Sequence, residues 1–197
     1  SGIEKMPPDV VNQSHYISNS AHCPPYKNTT VEYLPMGEVK FERMVQELKK
    51  AKRYIFMEYF IIQEGTMWNT ILDVLEEKAD LGIIFDTDVD RAGAVLPDGE
   101  ELNRNRLIAL MSAILLRDHP GTAIVTDSVT STGLARFIAQ KGGVHHRFKR
   151  GYRNVINEAV RLNREGTDCQ LAMETSGHGA LKENYFMDDG AYLMVKL

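Results

Sequence analysis

Apolar residues along this chain recur with two periods, one near two and one near 3.6, and the places where one gives way to the other divide it into elements. Residues 1–30 carry neither period; Pro7-Pro8, Pro24-Pro25 and many Asn and Ser predict an extended or poorly ordered arm. Residues 31–34 read as a short strand and Pro35-Met36-Gly37 as a turn. From Glu38, Phe41, Met44, Val45 and Leu48 fall at helical spacing, with Lys49, Lys50 and Lys52 at the end complementing the helix dipole. A strand at 54–62 and a helix at 66–78 follow, then a short apolar strand at 81–86. Beyond the Pro97-Asp98-Gly99 turn come a helix at 102–117, a strand at 122–126, a helix at 132–140, a strand at 144–148, a helix at 154–164 and a strand at 171–174. Strands alternating with helices predict an α/β layered sandwich, its mainly parallel, mixed sheet built from βαβ units.

Composition narrows the function classes. A chain of 197 residues with net charge −4 shows no overall footprint for nucleic acid or an acidic membrane surface. No apolar run approaches the roughly twenty residues of a membrane helix, so no membrane insertion is expected. Cys23 and Cys169 match no metal spacing and make no disulfide framework, so a reducing compartment, the cytoplasm, is the expectation.

The candidate chemistry sits where the strand at 81–86 ends, in Asp86-Thr87-Asp88-Val89-Asp90-Arg91. Three carboxylates at alternating positions converge if the chain turns tightly, and like charges that close repel unless a hard cation such as Mg2+ holds their oxygens. A calcium loop needs glycine after the third acid and a closing glutamate; here Arg91 and Pro97 stand at those places. An aspartyl phosphatase of the haloacid dehalogenase type remains as an alternative through Asp86 and Asp88, though Asp90 replaces its usual threonine or valine.

The same text, with Asn103-Arg104-Asn105-Arg106, Thr126-Asp127-Ser128, Lys149-Arg150-Gly151-Tyr152 and Glu174-Thr175-Ser176-Gly177-His178, resembles the α-D-phosphohexomutases, the phosphoglucomutases and phosphomannomutases. The resemblance runs from about residue 79 to the end and corresponds to the close of that family's second domain plus its third. It implies Mg2+ on Asp86, Asp88 and Asp90, and Arg91 supporting the transferred phosphate. Lys149 would face the reacting oxygens, and Glu174 and Ser176 would read the sugar hydroxyls, with His178 and Gly151 beside the sugar. The family's serine nucleophile, in a T-A-S-H-N-P-like loop, has no counterpart in this text, nor does its distal phosphate-binding loop.

Residues 14–79, through Tyr33-Leu34-Pro35-Met36-Gly37-Glu38 and Ala51-Lys52-Arg53-Tyr54-Ile55-Phe56-Met57-Glu58-Tyr59-Phe60-Ile61-Ile62, resemble instead bacterial cardiolipin synthases of the phospholipase D superfamily. That superfamily's H-x-K-x4-D signature is absent. The sequence therefore reads as a chimera: an arm at 1–30, a phospholipase D-like β-α-β-α fragment at 31–79, and a mutase-like metal loop and sugar-binding domain at 80–197. Strand 54–62, helix 66–78 and strand 81–86 would make a right-handed βαβ unit across the junction. The expectation is an Mg2+- and hexose-phosphate-binding protein of weak affinity without full mutase activity. The alternatives are a ligand-free interaction domain, whose exposed sheet edge favours a homodimer, and an active phosphotransfer enzyme.

Overall fold

A computed structural model describes residues 3–197. The chain divides into two compact units, Ser1–Met44 and Val45–Leu197.

In the first unit a 3-10 turn at Ile3–Lys5 precedes helix α1, Pro8–Ala21. Pro8 stands in the first turn, where its missing N–H costs nothing and its fixed φ suits the helix. Asp9 complements the dipole, and His22 ends the helix at φ 53°. The expected extended arm is thus corrected over residues 8–21: a prolyl pair read as a breaker acts as a helix start. No residue of α1 is buried. Residues 31–34 form no strand, and Val31 and Tyr33 are exposed. Helix α2, Gly37–Lys50, begins in this unit.

The second unit continues with α3, Thr66–Lys78, whose Ile71 and Val74 are buried. Strands β1, Gly82–Phe85, and β2, Ala92–Val95, form an antiparallel hairpin around the aspartate loop. The main sheet follows: α4 Asn105–Asp118, β3 Ala123–Thr126, α5 Thr132–Gln140, β4 Val144–Arg147, α6 Tyr152–Arg164, β5 Cys169–Met173 and β6 Gly179–Leu181. A 3-10 turn at Lys182–Asn184 and helix α7, Gly190–Val195, complete it. Strand order is β4-β3-β5-β6, with β3 parallel to both β4 and β5 and β6 antiparallel to β5. The α/β fold with a mainly parallel sheet is the one the alternation predicts.

Side chains alternate across this sheet as the pleat requires, except at the irregularity in β5 where Cys169 and Leu171 face opposite sides. Ile124, Leu171, Met173 and Leu181 face α4, α5 and α7, meeting Leu107, Ile108, Met111, Leu134, Ile138 and Leu193. Ala123, Val125, Cys169, Ala172 and Ala180 face α6, meeting Val155, Ala159 and Leu162. The small residues on that second face let the amphipathic α6 approach closely. Chain leaving β3 enters α5 on one side of the sheet, and chain leaving β4 enters α6 on the other. Ligands of such sheets bind beyond the carboxyl ends of the strands, where the connections diverge.

Two expectations fail at the front of this unit. Residues 54–62 form no strand; Phe56 is 89% and Phe60 97% exposed. The expected βαβ unit is absent because β1 pairs with β2 instead. Ala92-Gly93-Ala94-Val95 has almost none of the branched or aromatic residues that mark a strand, so sequence pattern misses it; being next along the chain, it takes the edge of β1. The fragment at 31–79 is accordingly helical and irregular, with no strand.

A half-buried histidine ties β4 to β3: His145 Nε2 lies 2.7 Å from Thr126 Oγ1. Burial, then the charges of Arg147 and His146, push its pKa down to about 4. A folded-state value below the ordinary one means that the unfolded chain takes up the proton first, so stability falls as pH drops from about 6.5 towards 4. His145→Gln should flatten that part of the pH dependence of the melting temperature relative to wild type. In the core, Leu171→Ala should cost about 2–5 kcal/mol, read as a lower urea midpoint at unchanged slope.

Candidate functional site

The aspartate loop converges because Val89 bends it. Val89 N–H donates to the Asp86 carbonyl at 3.2 Å, and the residue sits at φ 63°, a strained conformation for a β-branched side chain. The bend is pinned from outside, since the Val89 carbonyl accepts Gly190 N–H at 3.0 Å. The result is one oxygen from each of Asp86, Asp88 and Asp90, all within 4.8 Å of one another.

Arg91 holds one corner. Its backbone N–H donates to Asp86 Oδ1 at 3.1 Å and its Nε to Oδ2 at 2.7 Å. Burial works to raise the Asp86 pKa, but these two bonds and the guanidinium charge outweigh it and hold the carboxyl below the ordinary value. Asp90 Oδ1 is buried without a hydrogen-bond partner, Arg91 Nε being 3.9 Å away. Three clustered carboxylates, one of them with an orphaned oxygen, make a donor set suited to a hard cation such as Mg2+. The residues present fit that ion.

The second loop leaves β5. Glu174 N–H donates to the His178 carbonyl and Gly177 N–H to the Glu174 carbonyl, closing a turn. Gly177 has φ 104°, and a Cβ there would stand 2.9 Å from the Ala92 carbonyl oxygen, so only glycine fits. That close approach laces the two loops together: Ala92 N–H donates to the Gly177 carbonyl, and Arg91 bridges His178.

Within the turn Glu174 is buried. Its Oε1 accepts Gly151 N–H at 2.6 Å, at the start of α6, and its Oε2 accepts the Ser176 hydroxyl at 3.3 Å. His178 Nδ1 lies 2.8 Å from Asp188 Oδ2 and 3.6 Å from Asp90 Oδ2. The ring stacks on Tyr152, centroids 4.8 Å apart. Behind this group the fully buried Asp127 accepts the Val129 N–H, the Thr175 N–H and the Thr175 hydroxyl.

The structure thus gathers Asp86, Asp88, Asp90, Arg91, Gly151, Glu174, Ser176 and His178. Lys149 is not joined to them: it is exposed, with Nζ 5.7 Å above the Phe148 ring. Sequence reasoning missed Asp188, Asp127 and Tyr152 as parts of the site; the acidic pair Asp188-Asp189 before Gly190 was the one local signal for the first. A separate open depression of about 500 Å³ is lined by Glu101, Asn103, Arg104, Asn105 and Arg106, none of them in the carboxylate group.

Residues 103–197 match the family model described as phosphoglucomutase/phosphomannomutase, alpha/beta/alpha domain III. This part of the chain is similar to the third domain of the phosphohexomutases. A phosphomannomutase/phosphoglucomutase from Pseudomonas syringae pv. tomato is 35% identical over 128 residues, covering 64% of this chain and 26% of that protein. A phosphoglucomutase/phosphomannomutase family protein from Burkholderia thailandensis superposes with TM-score 0.56 at 33% identity, over 64% of this chain and 27% of that one. An uncharacterized protein from Streptococcus mutans is 50% identical over 72 residues, covering 36% of this chain and 16% of the relative. The chain therefore spans about a quarter or less of the length of the relatives it matches. Domain III contains Gly151, Glu174, Ser176 and His178, whereas the three aspartates and Arg91 precede the matched residues.

The buried Asp127 offers a direct check on how domain III holds its loops. Asp127→Ala removes the acceptor of the part-buried Thr175 N–H and hydroxyl, and should cost about 1–3 kcal/mol in chemical denaturation.

Proposed function

We propose that this chain binds Mg2+ through Asp86, Asp88 and Asp90 and a hexose phosphate through the Glu174 turn, with weak affinity and without full mutase turnover of its own. The observation that carries the reading is the lacing of the two loops: the cation set and the Glu174–Ser176 pair are fastened at Gly177, Ala92, Arg91 and His178. A carboxylate has about four acceptor sites, so Glu174 can hold Gly151 and Ser176 and still accept from sugar hydroxyls. Bound Mg2+ would supply charge neutralisation at the transferred phosphoryl group. Arg91 would orient that phosphate as a delocalised cation, and Lys149 would serve as an electrostatic aid or general acid at the reacting oxygens.

The engagement of both Asp86 oxygens by Arg91 favours a ligand role over a phosphatase nucleophile. An interaction-domain reading draws support from the exposed apolar run at 54–62, which suits a partner surface, a second copy of the chain included. The mutase similarity leaves about a third of the chain outside it. The phospholipase D-like origin of residues up to about 79, and hence the chimera, rests on the motif resemblance of residues 14–79. No helix among the described residues is long and apolar enough to cross a membrane.

Calorimetry decides between these readings. Mg2+ with glucose 1-phosphate should give saturable heat, weakened at least tenfold by Asp88→Ala, and Glu174→Gln should weaken the sugar phosphate while sparing Mg2+. Absence of heat in the wild-type chain would leave the interaction reading, and turnover abolished by Asp86→Asn would establish phosphotransfer.

A further inference from the structure

Asp90, His178 and Asp188 come from three places: the aspartate loop, the turn between β5 and β6, and the segment before α7. Their candidate ligand atoms lie within 4.8 Å of one another. Backbone links hold all three segments in register. Arg91 bridges His178, Ala180 bridges Asp188, and Gly190 N–H reaches the Val89 carbonyl.

Two side-chain oxygens among the described residues are buried without a hydrogen-bond partner, and they are Asp90 Oδ1 and Asp188 Oδ1, one on each carboxylate of this group. Buried polar atoms are ordinarily paired, so their coincidence in one cluster points to a missing positive ligand. An imidazolium at His178 does not remove the problem. Its Nδ1 faces Asp188 Oδ2 and Asp90 Oδ2, leaving both Oδ1 atoms without a hydrogen bond, though Arg91 Nε stands 3.9 Å from that of Asp90.

We propose that Asp90, His178 and Asp188 form a second divalent-cation site, of the borderline transition-metal class represented by Zn2+ and Co2+, sharing Asp90 with the aspartate loop. An imidazole nitrogen with two carboxylates is a donor set for such metals rather than for Mg2+, which takes oxygen. Tyr152, stacked on the imidazole with centroids 4.8 Å apart, fixes the ring plane. A cation here would clamp the Glu174 turn against the aspartate loop through side chains as well as backbone. The site shares only Asp90 with the proposed Mg2+ set, so its failure and the failure of that reading are separable through Asp88.

The test is equilibrium dialysis with Zn2+, and Co2+ absorption spectroscopy, on the whole chain with the exposed Cys23 replaced by serine. One Zn2+ should be lost, or bound at least tenfold more weakly, in both His178→Ala and Asp188→Asn, while Asp88→Ala keeps it. Binding unchanged in the first two variants, or lost equally in Asp88→Ala, would overturn the proposal. Should either variant fail to fold, the unsubstituted His178 site still reports: Co2+ must shift the ring proton resonances of Tyr152 and His178 far outside the diamagnetic range. Unshifted resonances at saturating Co2+ would also overturn it.

Discussion

Two buried carboxylates at the ends of neighbouring parallel strands organise the business end of this domain. Asp127 closes β3 and Glu174 closes β5, and neither is open to water. A buried charge is tolerable only when donors surround it, so each carboxylate recruits backbone or hydroxyl hydrogen from a loop that would otherwise wander. Asp127 draws Thr175 down onto the sheet, and Glu174 draws in Gly151 and Ser176. The desolvation of two acids is thereby converted into loop order, and the turn at 174–178 stands at a fixed height above the strands.

The aspartate loop is ordered by a different device. It carries local strain at Val89 and is held in that shape by strangers in sequence, Gly190 on one side and Gly177 on the other. Strain of this kind, between two of three like-charged residues, persists only because the surrounding fold over-determines the loop. It also explains why α7, though short, matters: its first residue, Gly190, touches the loop backbone so closely that a Cβ there would lie 2.8 Å from the Val89 oxygen.

Legibility followed the range of the interactions. Helix α3 and helix α5 are written locally, the latter by Ser131, whose hydroxyl accepts the Leu134 N–H as a cap. Helix α4 begins three residues later than its periodicity suggests, because the Asn103 side chain is committed to Ala94 N–H and Arg104 turns to φ 54°. Strands β2 and β6 are four and three residues long, too short for a period to read. The run at 54–62 has the opposite fault: its strand signal is strong, but the signal encodes a demand for a neighbouring edge, and none among the described strands meets it. In the site, the family resemblance gathered Glu174, Ser176, His178 and Gly151. Asp188 and Asp127 went unassigned because their partners stand ten and 48 residues away, and Lys149 showed that a motif lysine need not join its group.

The unsheltered run at 54–62 has a consequence in solution beyond any question of ligands. Tyr54, Phe56, Phe60, Ile61 and Ile62 form a high-β-propensity window free of proline, and short windows of that kind stack into cross-β assemblies. Glu58 is the one charge inside it, and it acts as a gatekeeper by stacking like charges whenever copies align in register. The run's protection against self-stacking therefore rests on a single side chain, and a substitution that neutralises it would leave the whole window uncharged.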